Sequence, residues 1–519
     1  MLLLFFIVFI LSNSFRDNFL NGFVLLAVFG VFFSVTLYNL ENGTLFFVFT
    51  IPLFQIIGRF YGVSRFLTIF FIFTGVIAGL IVKAVKEKRW VISWEKEITK
   101  PVFIFMLFIT VSFVFVYLRI HDYFSLYNHA FRDYFLNVDL KTTDNALWLA
   151  IYQYLNYFSG FLILYLVYSL ELKKSFLIKL FYTFFASSSL VFVGALYQVF
   201  VNPFFMGQAT GIGTQSWIGE NTFANRYGST LVDPNSLGIY SIMMLLVFIG
   251  FAIYLTQKKD RVFAIIAAAE CFVLLFLSGS RTGLLGIIII LLFYFFILIR
   301  QIVIKVLARH SHKTSGNKKI FSITAGFLVI FLFVLLLLVI VLILKVDESI
   351  LPVTLKRIKV DLGAVISGNF TAALKDLLGG RLALWKAAGF IIRDYPVSGA
   401  GIGMVTVELP NYGFLYSIAE LPRDLADNYY LQVASELGMF VLAANLWIFG
   451  VVLKSGKILI RGLLKEKNYR WFFLNLYLVL PVMLFMFIFG PHTYFIEIMF
   501  LLFLIIGIVL KTAEAEQAK

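Results

Sequence analysis

Apolar, uncharged runs of about 20 residues recur along this chain, each long enough to cross a hydrocarbon core roughly 30 Å thick. In hydrocarbon, every backbone N–H and C=O must be satisfied within its own segment, which restricts such runs to helices. The pattern predicts spans near 2–11, 19–38, 44–57, 66–82, 101–118, 147–168 and 176–201. A second group follows near 236–256, 262–278, 282–300, 320–345, 431–453, 471–489 and 493–510. The expected fold is therefore all-α, a polytopic transmembrane bundle of about 12–14 spans, the short first and third runs setting the lower figure. Composition agrees, with 61% hydrophobic and 14% charged residues and a mean hydropathy of +0.95, far from a soluble chain. Leu2–Leu11 has neither a basic start nor a small-residue cleavage site, so it is expected as a retained span.

Basic residues orient the bundle. Lys83, Lys86, Lys88, Arg89, Lys96 and Lys100 fall in one connection, and Lys258, Lys259 and Arg261 in another. Segment 300–319 holds Arg300, Lys305, Arg309, Lys313, Lys318 and Lys319, and 454–470 holds Lys454, Lys457, Arg461, Lys465, Lys467 and Arg470. An even number of spans separates these segments, so all share one side, which the positive-inside rule makes cytosolic. Both termini are then cytosolic too, in a multi-pass membrane protein. Topology accounts for much of the +15 net charge, and no nucleic-acid-binding module accompanies it. Cys271 is a lone cysteine in an apolar run, and His121, His129, His310, His312 and His492 are scattered. No disulfide framework, metal site or cofactor is expected.

The opposite face receives the loops 119–146 and 202–235, the turn 279–281, the stretch 346–430 and the turn 490–492. The expected organisation is a first bundle section over 1–345, an extracytoplasmic loop with short helices over 346–430, and the last spans with a cytosolic C-terminus over 431–519. Within the loop, Leu384, Trp385, Ala388, Ile391 and Ile392 recur at helical spacing before Pro396, which predicts an amphipathic helix on the bundle or the membrane interface.

Four constellations on this face carry chemistry. Arg226 precedes Asp233-Pro234-Asn235-Ser236, a turn and helix start in which Asn or Ser can cap. Nothing in such a turn requires the arginine. Ser278-Gly279-Ser280-Arg281-Thr282-Gly283 puts a second arginine at the head of a span, either snorkelling to headgroups or facing a cavity that admits a bulky anion. Gly379-Gly380-Arg381 puts a third before the amphipathic helix, with free backbone N–H groups and a planar fork suited to phosphate oxygens. Downstream, Gly399-Ala400-Gly401-Ile402-Gly403 reads as a flexible connector; it follows a helix rather than a strand, so the dinucleotide fingerprint does not apply. The fourth is Asp427-Asn428-Tyr429-Tyr430, in which Asp427 is either an N-cap or a carboxylate available as a general base. Glu436 points away from it, and His492 is the other proton acceptor on this face. Three cations beside one apolar bundle suit a lipid-linked pyrophosphate, whose tail needs lipid and whose diphosphate needs neutralising as it leaves.

In order and content these motifs resemble the O-antigen ligase/O-antigen polymerase superfamily of bacterial membrane glycosyltransferases. The resemblance covers roughly residues 147–510 and is strongest at 226–238, 278–286, 379–403 and 427–438. It implies a metal-independent GT-C-type enzyme with an undecaprenyl-diphosphate-linked glycan as donor and a sugar or glycolipid as acceptor, on the outer face of a bacterial cytoplasmic (inner) membrane. Membrane lipid, and a chain-length regulator or flippase, are the further partners it brings. The family's phosphate-binding arginines correspond to Arg226, Arg281 and Arg381. Its usual base, a histidine directly before the Asn of the last motif, corresponds to Asp427, a departure from the pattern. Arg281, Arg381 and Asp427 are thus the expected catalytic residues, with Arg226, Asn235, Ser280, Gly380, Asn428 and His492 binding substrate. Surface-polysaccharide polymerase is favoured over a ligase acting on lipid A core. A flippase is the competing class; it calls for charged spans and short loops on both sides, whereas these spans are nearly uncharged apart from Glu270 and one loop runs to about 85 residues.

Overall fold

The computed structural model describes residues 19–54, 56, 65–88, 97–119, 142–202, 215–218, 222–231, 233–310, 381–418, 421, 425–462 and 467–517. The expected spans near 2–11 and 320–345, the stretch 346–380 and hence Gly379 and Gly380 lie outside them. The helices are α1 (Phe19–Tyr38), α2 (Leu40–Thr50), α3 (Arg65–Lys86), α4 (Thr99–Leu118), α5 (Thr142–Ser169), α6 (Lys174–Phe200), α7 (Pro234–Tyr254), α8 (Lys258–Ser278), α9 (Arg281–His310), α10 (Arg381–Asp394), α11 (Val405–Leu415), α12 (Tyr429–Leu437), α13 (Met439–Gly462), α14 (Lys467–Met486) and α15 (Ile496–Gln517). Among the described residues nine helices are long and apolar enough to cross a membrane, with shorter apolar stretches in α1, α2 and α9. The protein is a polytopic helical membrane protein.

Sidedness shows in the packing. α15 runs through the middle of the bundle with nearly all of its side chains buried, against α5, α13 and α14. α4 instead leaves Phe103, Leu107, Val111, Val114 and Phe115 exposed along one stripe, and α8 leaves Val262, Ile265, Ile266, Phe272 and Val273. An outer surface as apolar as the core is what lipid solvates and water does not.

Ion pairs join segments at the end where the cation-rich connections lie. Lys454 lies 2.7 Å from Glu97, and Lys179, at the start of α6, lies 2.9 Å from Glu41. The four constellations gather at the other end. We expect a single cysteine at Val397, which is exposed, to react with an impermeant maleimide in intact cells carrying Cys271→Ser, and one at Lys457 to react only after lysis. Labelling of position 457 in intact cells would invert the orientation.

Three local features depart from the sequence expectation. The span placed at 431–453 is two helices, α12 and α13, broken at Gly438 (φ +89°). A Cβ there would fall on the Val397 carbonyl, so only glycine lets the 396–399 backbone approach. The Gly-rich connector is tied down rather than flexible. Ala400 and Gly401 donate to the Ser435 and Glu436 carbonyls at 2.8 and 2.9 Å, satisfying acceptors left over at the end of α12. Ile402 donates to Ser112 at 3.0 Å, and Gly403 to the buried Glu436 carboxylate. Finally, the 202–235 loop contains a short antiparallel hairpin, β1 (Gln215–Ile218) and β2 (Thr222–Asn225).

Gly403 sits at φ +77°, and a Cβ would lie 2.7 Å from the Leu149 carbonyl carbon. Gly403→Ala should therefore cost about 1–3 kcal/mol, read as a lower unfolding temperature in detergent. An unchanged melting curve would show the connector to be slack.

Candidate active site

The hairpin delivers Arg226, the residue after β2. Its Nε donates to the Ser278 carbonyl at 3.1 Å and its Nη2 to Asn235 Oδ1 at 2.7 Å, so one guanidinium spans the end of α8 and the start of α7. Tyr227 N–H adds a bond to the Leu277 carbonyl at 3.1 Å. Gly279, left-handed at φ +60° where α8 ends, leaves room for the arginine stem, since a Cβ would lie 3.0 Å from Arg226 Cγ. The cap of α7 is Asp233, not Asn235 or Ser236 as the sequence reading allowed. Its carboxylate accepts from Ser236 N–H at 2.6 Å and from Ser236 Oγ at 2.9 Å, with Pro234 in the first turn. Asn235 is thereby free to hold Arg226.

Two residues beyond Gly279, Arg281 opens α9. Ser280 is buried, and its Oγ accepts from Gly283 N–H at 3.2 Å. In this structure it caps a helix rather than presenting its hydroxyl to the site. The tightness of the α8–α9 turn brings Arg281 alongside Arg226.

Arg381 opens α10 and donates from Nε to Asp427 Oδ2 at 3.2 Å; the two side chains keep 20% and 35% of their exposure, so the pair remains within reach of substrate. Trp385, one turn on, donates from its indole to the Asp427 carbonyl at 3.3 Å. Asp427 is not the cap of α12. Asn428 is, accepting from Leu431 N–H at 3.0 Å while its Nδ2 donates to the Ile488 carbonyl at 3.0 Å. Asp427 stands one position earlier at φ +50°, a left-handed conformation that Asp and Asn tolerate better than most residues. Two bonds from α10 hold it there, and capping asks nothing of it.

These groups feel one another. Burial lowers the Arg226 pKa; Asp233 opposes that, and repulsion from Arg281 and Arg381 adds to it. Asp427 is raised above the ordinary carboxylate range chiefly by the protein around it, with Arg381 pulling back and Asp233 pushing further. His492 is buried in a 3₁₀ turn between α14 and α15 and is pushed down to about 3, first by burial and then by Arg381, against a hydrogen bond to the Met486 carbonyl. The imidazole is therefore neutral at physiological pH.

The structure thus brings together Arg226, Arg281, Arg381, Asp427 and His492. It gives Asn235, Ser280 and Asn428 protein partners, and Gly380 is outside the described residues. Among the described residues, no three of His, Cys, Asp and Glu gather as metal ligands would. Sequence reasoning missed Trp385 as a holder of Asp427 and Asp233 as a charge shared by both halves of the site. Neither has a local signal, since each acts on a group distant in sequence.

No curated protein matches the chain. Arg281, Arg381 and Asp427 fall inside a matched family segment, while Arg226 and His492 flank it. That segment, residues 266–446 of the 519, matches the model of the O-antigen ligase family, and over those residues the chain is similar to the O-antigen ligase/O-antigen polymerase superfamily.

Proposed function

We propose that the protein transfers a glycan from an undecaprenyl-diphosphate carrier to a sugar hydroxyl on the outer face of the cytoplasmic membrane, as a surface-polysaccharide polymerase. The observation that carries this is the meeting of Arg226, Arg281 and Arg381, drawn from three separate elements into mutual repulsion. Like charges held together cost free energy that a bound polyanion returns. A diphosphate supplies that anion, and as the bond to the sugar breaks the same arginines stabilise the charge it gains. Guanidinium forks suit phosphate oxygens better than ammonium groups do.

Asp427 accepts the proton of the attacking hydroxyl. Its raised pKa makes it a stronger base than a free aspartate. Arg381 then has two duties: it holds Asp427 in the resting site and meets the leaving diphosphate. The residues assigned to the reaction need no metal, because guanidinium groups supply the charge a metal would otherwise bring.

Proteoliposomes with purified lipid-linked repeat units test the reading. A ladder of longer lipid-linked products supports the polymerase. Transfer only when lipid A core is added makes the protein a ligase, and intact donor crossing the bilayer with no new glycosidic bond makes it a flippase.

A further inference from the structure

Behind the Arg381–Asp427 pair, the bundle buries neutral polar groups that transmembrane packing alone does not call for. Gln153 and Asn156 sit one turn apart on α5; Asn156 meets the 492–494 turn, and Gln153 lies against Tyr157, whose hydroxyl meets that of Tyr494. Asn156 Nδ2 donates to the Thr493 carbonyl at 3.1 Å, Tyr152 OH donates to the Tyr494 carbonyl at 3.3 Å, and the Tyr157 and Tyr494 hydroxyls lie 3.2 Å apart. Gln153, Asn156 and His492 are 2%, 1% and 3% exposed. Asn156 Oδ1 and His492 Nε2 keep no hydrogen-bond partner, while the Gln153 amide nitrogen reaches toward the Tyr157 hydroxyl.

A buried polar atom left unmade costs about 1–3 kcal/mol, and two of them beside the 492–494 turn, Asn156 Oδ1 and His492 Nε2, point to a ligand. Their chemistry narrows its class. The amide oxygen accepts. Because one imidazole nitrogen donates to the Met486 carbonyl, Nε2 of the neutral ring is the accepting one. A pair of neutral acceptors suits hydroxyl groups, which donate. It does not suit a diphosphate, which the arginines serve, nor a prenyl tail. Gly490 packs against the imidazole so closely that a Cβ would lie 2.5 Å from Cε1, which fixes where Nε2 can point.

We propose that Asn156 and His492 form the wall of a subsite for the acceptor sugar, binding its hydroxyls while the attacking one faces Asp427. Proximity to Arg381, whose charge acts on His492, puts this wall on the Asp427 side of the site. The proposal rests on the glycosyl-transfer reading and adds an acceptor contact that lies outside the matched family segment.

The test uses full-length protein and, as probe, the repeat-unit oligosaccharide released from the native donor by mild acid. His492→Phe is expected to raise the KM for this lipid-free acceptor about tenfold or more, since a site built for a hydroxyl loses much when its partner is removed. Binding of the lipid-linked donor and the unfolding temperature should stay as in wild type. His492→Gln, which keeps an acceptor, should restore part of the loss. An unchanged acceptor KM with a lowered unfolding temperature would overturn the proposal and leave the wall to buried water and packing. Weakened donor binding in step with KM would overturn it by assigning the wall to the donor. If wild type transfers nothing, the underlying reading falls; if it transfers with KM untouched in every variant, only the subsite falls.

Discussion

Arg381→Ala should lower glycan transfer by roughly 10²–10³-fold, the usual cost of removing one donor aimed at charge that develops in the transition state. Arg281→Ala should fall in the same range, and both proteins should reach the membrane in normal amounts. Arg381 does two things that alanine removes together. It carries charge toward the site where Arg226 and Arg281 already crowd, and it holds Asp427 Oδ2 at 3.2 Å. Lysine keeps the charge but not the planar fork, so Arg381→Lys should recover only a small part of the activity. Arg281 makes the sharper comparison, because Asp427 is not bonded to it in this structure. If it only snorkels to headgroups, alanine at 281 leaves turnover at the wild-type level.

The second large effect is expected at Asp427. Asp427→Asn should remove transfer while retaining donor binding, because the amide keeps the shape and the left-handed backbone preference and loses only basicity. Since Asn428 makes the cap, the substitution leaves the start of α12 intact. Stability moves in a direction that separates the roles. A carboxyl whose folded pKa lies above its unfolded value stabilises the fold below the unfolded pKa and loses that contribution as pH rises through the folded one. Above its folded pKa Asp427 is therefore a liability to the fold, and there Asn should match or exceed wild type in unfolding temperature. In wild type, transfer should decline as pH drops through a pKa above the ordinary carboxylate value of 3.8. Full activity in Asp427→Asn would dismiss it as the base, and His492→Ala would then be the variant to assay. His492 is a weak candidate, since burial and Arg381 leave its imidazole little affinity for a proton.

Much of this was legible in the chain because bilayers impose a coarse rule. Length and apolarity located the cores of α1 through α9, although α9 runs ten residues past the expected end at 300 and α2 spans Leu40–Thr50 rather than 44–57, and the spacing of Leu384, Ala388 and Ile391 located α10. The arginines were visible because a cation at a helix head in a membrane protein needs a reason. What remained hidden was decided by long-range contact. Asp233, Asn235 and Ser236 can each cap a helix, and the choice fell to Asp233 because Arg226 engages Asn235. Asp427 and Asn428 are likewise alternative caps in sequence, and α10, through Arg381 and Trp385, claims the first of them. The glycines at 399–403 read as slack because sequence does not show that the end of α12 supplies acceptors for them. Asn156 drew no notice inside an apolar span, since only the 492–494 turn gives its polarity a context.

The most direct measurement counts carrier against bonds. Purified protein in proteoliposomes is given lipid-linked repeat units in chelator-containing buffer, and freed polyprenyl diphosphate and new glycosidic bonds are quantified together. The account predicts one carrier diphosphate released per bond formed, undiminished by the chelator and lost in Arg381→Ala and Asp427→Asn. Donor that crosses the bilayer intact, with no diphosphate released and no bond made, would contradict it.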